Sequence, residues 1–106
     1  EKMIEHFEGE LLDTVSNFFK ALGNETRLKI LWQLSQKEWK STDLAAVLEM
    51  TPSAISHQLT LLKNLKIVAV RREGKHQIYR LADSHISHVL HSVIEHYEED
   101  TDVREE

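Results

Sequence analysis

Thr51-Pro52-Ser53-Ala54-Ile55-Ser56-His57-Gln58-Leu59-Thr60-Leu61-Leu62-Lys63 decides the fold. Thr51 is a good helix N-cap, and Pro52 suits the first helical position, where its missing N–H costs nothing. Ile55, Leu59 and Leu62, with Leu65 beyond them, recur at helical spacing and make one apolar face. The other positions, Ser53, Ala54, Ser56, His57, Gln58 and Thr60, are short or amide-bearing and uncharged until Lys63. An exposed helix face ordinarily carries charge. Small polar side chains suit a helix that enters a DNA major groove and meets base edges.

The flanks agree. Ser41-Thr42-Asp43 opens a short helix carrying Leu44, Ala45, Val47 and Leu48, and Glu49-Met50-Thr51 breaks it before the next begins. Two short helices joined by a tight turn make a helix-turn-helix unit. Downstream, residues 67–72 and 76–81 are rich in β-branched and aromatic side chains, with Glu73-Gly74-Lys75 turning the chain between them. The hairpin tip carries Arg71, Arg72, Lys75 and His76, a wing able to lie along a phosphate backbone. Upstream, Asn24 caps an expected helix over 25–35 with Leu28, Ile30, Leu31 and Leu34 inward. A helix over 2–22 carries an apolar stripe longer than a small core needs, and dimer packing or core packing would equally use it. Residues 37–40 read as a connection or short edge strand, with Trp39 filling a core edge. The expected fold is mainly α with a β-hairpin wing, a dimeric winged helix-turn-helix in a single domain over 1–106.

Composition sets the bounds. With 106 residues, three glycines and one proline the chain reads as one mostly helical domain. It has no cysteine, so disulfides and thiolate metal sites are ruled out. No apolar run reaches membrane-spanning length and no signal-like segment opens the chain, so a cytoplasmic location without a membrane partner is expected. The formal charge of −5 is unevenly spread. Residues 51–80 carry six Lys and Arg against the single acid Glu73, which makes that segment +5 and the remainder −10. A basic surface on an acidic body suits phosphate contact by one face and a double-stranded DNA partner. No Gly-rich phosphate loop is present, and neither catalysis nor a small-molecule substrate is expected. The acidic stretch 100–106 is expected to be disordered.

One more helix is expected over 83–99. At 100° per residue from His85, Ile86, Leu90, Val93, Ile94 and Tyr97 fall at roughly 80° to 180° and should pack on the body. Within about 60° of His85 lie His88, Val89, Ser92, His96 and Glu99. His85 and His96 are eleven residues apart, about 16 Å along a helix, too far for one ion to bridge. One chain therefore offers two half-sites, Asp83 with His85 and His96 with Glu99. The first pair converges only if Asp83 is the N-cap, because inside a helix the two would point about 200° apart. A second copy laid antiparallel across a two-fold axis would complete two four-ligand sites. From spacing alone, an exposed polar face that happens to be rich in histidine is an equal reading.

Taken together, the chain resembles the ArsR/SmtB family of bacterial metal-responsive repressors. The resemblance lies in Phe19-Lys20-Ala21-Leu22-Gly23-Asn24-Glu25-Thr26-Arg27-Leu28-Lys29-Ile30-Leu31, in Ser56-His57-Gln58-Leu59-Thr60-Leu61-Leu62-Lys63, and in Arg72-Glu73-Gly74-Lys75 with Ile78-Tyr79. It implies a homodimeric repressor released from operator DNA by a metal. The family's cysteine site at the start of the third helix is absent, since Ser41-Thr42-Asp43-Leu44-Ala45-Ala46 stands there. The family's zinc sensors carry Asp-x-His and His-x-x-Glu on the last helix, and Asp83, His85, His96 and Glu99 match each position. The resemblance thus implies zinc as the cofactor and release of metal efflux or resistance genes. His88, His91 and Glu95 are extras that leave room for a six-coordinate nickel or cobalt variant. A relative that senses a non-metal signal is the remaining alternative.

Overall fold

Ile55, Leu59 and Leu62 are buried to 1% exposure or less, and the rest of the molecule is arranged around them. The computed structural model describes the backbone of residues 6–105 and the side chains of residues 6–99. Its elements run α1 (Gly9–Leu22), α2 (Glu25–Gln36), β1 (Trp39–Lys40), α3 (Ser41–Val47), α4 (Pro52–Asn64), β2 (Val68–Glu73), β3 (His76–Leu81) and α5 (Ser84–Glu105). One cluster joins Ile30, Leu31 and Leu34 of α2, Leu44 and Ala45 of α3, the α4 triad, Ile67, Val68, Tyr79 and Leu90. This is a mainly helical winged helix-turn-helix, as the sequence predicts.

Local chemistry sets the boundaries. Asn24 caps α2 by accepting from the Arg27 N–H at 3.0 Å, and Thr51 caps α4 by accepting from the Ala54 N–H at 3.0 Å. Lys66 takes φ +62, a left-handed turn that ends α4 and delivers Ile67 to the core. In the three-stranded sheet, ordered β1-β3-β2, Trp39 pairs with Tyr79 and Val68 with Leu81. The edge strand expected near Trp39 is therefore real, and the Trp39 indole N–H donates to the Gln33 carbonyl at 3.0 Å.

Two expectations need correcting. The first helix begins at Gly9 rather than residue 2, because Gly9 takes φ +66 and residues 6–8 are not helical. Met3 and Ile4 lie outside the described residues. Leu28 and Leu65 were expected inward, yet both are over a third exposed. The backbone of α5 runs to Glu105, and no Gly or Pro interrupts it. On α1 and before it, Phe7, Leu11, Leu12 and Phe19 are all more than 40% exposed, so this helix has an apolar side that the described residues leave uncovered. Among the described residues no helix is long and apolar enough to cross a membrane.

Candidate nucleic-acid interface and metal half-sites

α4 presents its polar side outward. Ser53, Ala54, Ser56, His57, Thr60 and Lys63 are exposed. Gln58 differs, being half-buried, with its Oε1 accepting from an Arg27 guanidinium nitrogen at 3.3 Å. Beyond α4, the wing turns on Gly74 at φ +62, with Glu73 and His76 paired on either side. Arg72, Lys75 and His76 are exposed, and the Arg72 Nε donates to the Gly74 carbonyl at 3.1 Å.

Arg71 was expected to belong with them, but it is engaged within the protein. Its guanidinium contacts Glu38 at 2.6 Å and Glu73 at 2.9 Å, and these hydrogen bonds hold its pKa above the usual value. Two acids thus compete with any phosphate for this side chain. In exchange, the structure brings forward residues that sequence reasoning missed. Lys40, Ser41 and Thr42 line a polar cleft of about 220 Å³ together with Arg72, Lys75, His76 and Gln77. No acid lines it. The signal was available in part: Lys40 pairs with Ile78, so a two-residue strand ties the start of α3 to the wing.

The last helix begins as its half-site requires. Asp83 precedes α5, and its Oδ1 accepts from the backbone N–H of His85 at 2.9 Å and of Ile86 at 3.3 Å. The same oxygen lies 3.4 Å from His85 Nδ1. Both side chains are exposed, as are His96 and Glu99 further along, and the His96 ring meets the Tyr97 ring edge-on at 4.8 Å. Among the described residues no three His, Asp or Glu gather within one chain. His88 and Glu95 are exposed. His91, six positions beyond His85 and so about 120° round the helix from it, is half-buried against Trp32 of α2 with ring centroids 5.1 Å apart. The donor set of an exposed carboxylate and imidazole at one end, and the same pair at the other, is of a kind that fits a borderline cation.

This geometry defines a winged helix-turn-helix domain. Residues 24–70 match the family described as bacterial regulatory protein, arsR family. A cadmium resistance transcriptional regulatory protein CadC homolog from Staphylococcus aureus is 40% identical over 86 residues, 80% of this chain and 71% of that protein. A transcriptional repressor SmtB homolog from Synechocystis is 36% identical over 85 residues, 80% of this chain but 64% of its own length, just under two thirds. The homodimeric winged helix-turn-helix DNA-binding domain of a possible ArsR-family regulator from Mycobacterium bovis superposes with a TM-score of 0.84 at 32% identity. That match covers 95% of this chain and 94% of that one. The chain belongs to the arsR family of bacterial regulatory proteins, which are DNA-binding transcriptional regulators and not enzymes.

Proposed function

We propose that this chain is a zinc-responsive transcriptional repressor acting as a homodimer, with Asp83 and His85 of one subunit sharing an ion with His96 and Glu99 of the other. The observation that carries the metal reading is the Asp83 cap, which brings a carboxylate oxygen and an imidazole nitrogen within 3.4 Å of each other at the start of α5. Two imidazoles and two carboxylates suit tetrahedral zinc and leave no open position for catalysis. The uncovered apolar side of α1 supports the dimer.

On DNA, the α4 residues Ser53, Ala54, Ser56, His57, Gln58 and Thr60 face base edges. Lys63, Arg72, Lys75 and His76, joined by Lys40, Ser41 and Thr42 across the polar cleft, hold phosphates. Two α4 helices in successive major grooves need a spacing of roughly 34 Å, so a dimer shape that changes this spacing changes affinity. Metal held between the two α5 helices favours one such shape, and reciprocity then requires DNA to weaken the metal by the same factor. Release from the operator would switch on efflux or resistance genes.

Equilibrium dialysis with zinc, repeated in the presence of DNA selected from a random pool, tests the reading. Two ions per dimer and mutual weakening of zinc and DNA are expected. Zinc that binds without affecting DNA would leave a metal buffer, and DNA binding without zinc would leave a repressor of another signal. His88, exposed on the same face as His85, favours nickel or cobalt as the second reading. Cobalt spectra separate the two, since a four-coordinate site absorbs far more strongly than a six-coordinate one.

A further inference from the structure

Arg27 stands on α2, outside the helix-turn-helix, yet it reaches two other helices. Its Nε donates to the Ala21 carbonyl near the end of α1 at 2.8 Å, and a terminal nitrogen donates to Gln58 Oε1 on α4 at 3.3 Å. Arg27 and Gln58 are both half-buried, which limits how far either can swing. An amide's oxygen and nitrogen are hard to tell apart in position, but a guanidinium has only donors. The atom facing Arg27 must therefore be the oxygen. In a planar amide the NH₂ then points away from the Arg27 contact, and among the described residues it has no acceptor.

We infer that Arg27 is a positioning residue that sets which base Gln58 reads. Resting on the DNA-binding role of α4 proposed above, the inference concerns only the polarity of this one contact. A free glutamine pairs with adenine by donating to N7 and accepting from N6–H₂. With its oxygen engaged by Arg27, Gln58 offers chiefly donors, the oxygen's second lone pair being its one remaining acceptor. Donors suit guanine, through O6 and N7, or thymine, through O4, and suit adenine poorly. The Ala21 bond anchors the guanidinium from behind, so the orientation is built into the fold before DNA arrives.

Enrichment of bound sequences from a random DNA pool reads this directly. Wild type should prefer a keto base, guanine or thymine, at one position per half-site, and Gln58→Met should lose preference at that position alone. Arg27→Met should move the same position toward adenine, by about tenfold relative to wild type. Arg27→Lys keeps a donor for the amide oxygen and should retain the keto preference. A merely structural role would instead weaken all sequences alike, and that result overturns the inference. Adenine at the Gln58-dependent position in wild type also overturns it. Should Arg27→Met fail to fold, Gln58→Glu tests the point independently. Its carboxylate still accepts from Arg27 but has no donor, so preference should pass to cytosine, and an unchanged keto preference would refute the inference. If wild type enriches no sequence at all, the DNA-binding reading fails and takes this inference with it.

Discussion

Asp83 Oδ1 accepts from the backbone N–H of His85 at 2.9 Å and stands 3.4 Å from that residue's own Nδ1, so one carboxylate starts α5 and, on the proposed reading, would also hold a metal with His85. The two duties separate by mutation. Asparagine caps helices as well as aspartate does, but it lacks the charge a cation needs. Asp83→Asn should leave thermal stability near wild type and lower zinc affinity. Asp83→Ala should also lose the cap, costing about 1 kcal/mol. Calorimetric melting without metal, alongside zinc titration, distinguishes these outcomes. Equal zinc affinity in wild type and Asp83→Asn would remove Asp83 from the site.

The wing offers a contrast between neighbours. Arg71 is matched by Glu38 and Glu73, whereas Arg72 faces the polar cleft with Lys75 and Lys40. Arg72→Ala should therefore weaken binding to every sequence and reduce the salt slope by about one. Arg71→Ala should change the slope less, because its charge is already compensated. Glu38→Gln should strengthen DNA binding modestly by freeing part of that charge. Affinity measured by fluorescence anisotropy over a range of salt concentrations checks all three. A larger slope change for Arg71→Ala than for Arg72→Ala would contradict the assignment.

Core packing gives a prediction that does not depend on function. Leu59 is fully buried in the core cluster that α2, α3, α4 and the sheet share, and Leu59→Ala should cost about 2–5 kcal/mol through lost transfer energy and a residual cavity. Thr60→Ala, one position along and exposed, should alter stability little while affecting DNA. Urea denaturation measures the difference. Comparable losses would mean that α4 is not seated as described.

Much of this was legible because local rules and tertiary packing agree. Thr51-Pro52 and Asn24 mark helix starts by their chemistry, and Ile55, Leu59 and Leu62 mark the buried face by their period. The Asp83 cap followed from requiring two side chains to meet at one point. What the sequence hid were partners distant along the chain. Nothing local says that Glu38 reaches Arg71, that Arg27 reaches Gln58, or that Trp32 is the ring against which His91 packs. These contacts depend on how elements stack, which periodicity does not encode. The left-handed Gly9 is a different case, a glycine placed inside an apolar stripe whose helical spacing outweighed it in the reading.

The cross-subunit arrangement makes the most exposed prediction. His85 and His96 are separated by about 16 Å along one continuous helix, so a single chain cannot place both on one ion. Each site of a homodimer should then contain His85 from one subunit and His96 from the other. His85→Ala and His96→Ala homodimers should each lose both tight sites. A heterodimer of the two variants behaves differently. One of its sites combines intact Asp83 and His85 from the His96→Ala chain with intact His96 and Glu99 from the His85→Ala chain, and the other lacks both histidines. Mixing the variants should restore one tight zinc site per heterodimer. Differently tagged chains, purified over two affinity steps, establish that subunits have exchanged before zinc is titrated. Purified heterodimers that bind no zinc tightly would rule out the antiparallel pairing of α5 and, with it, the shared-site reading.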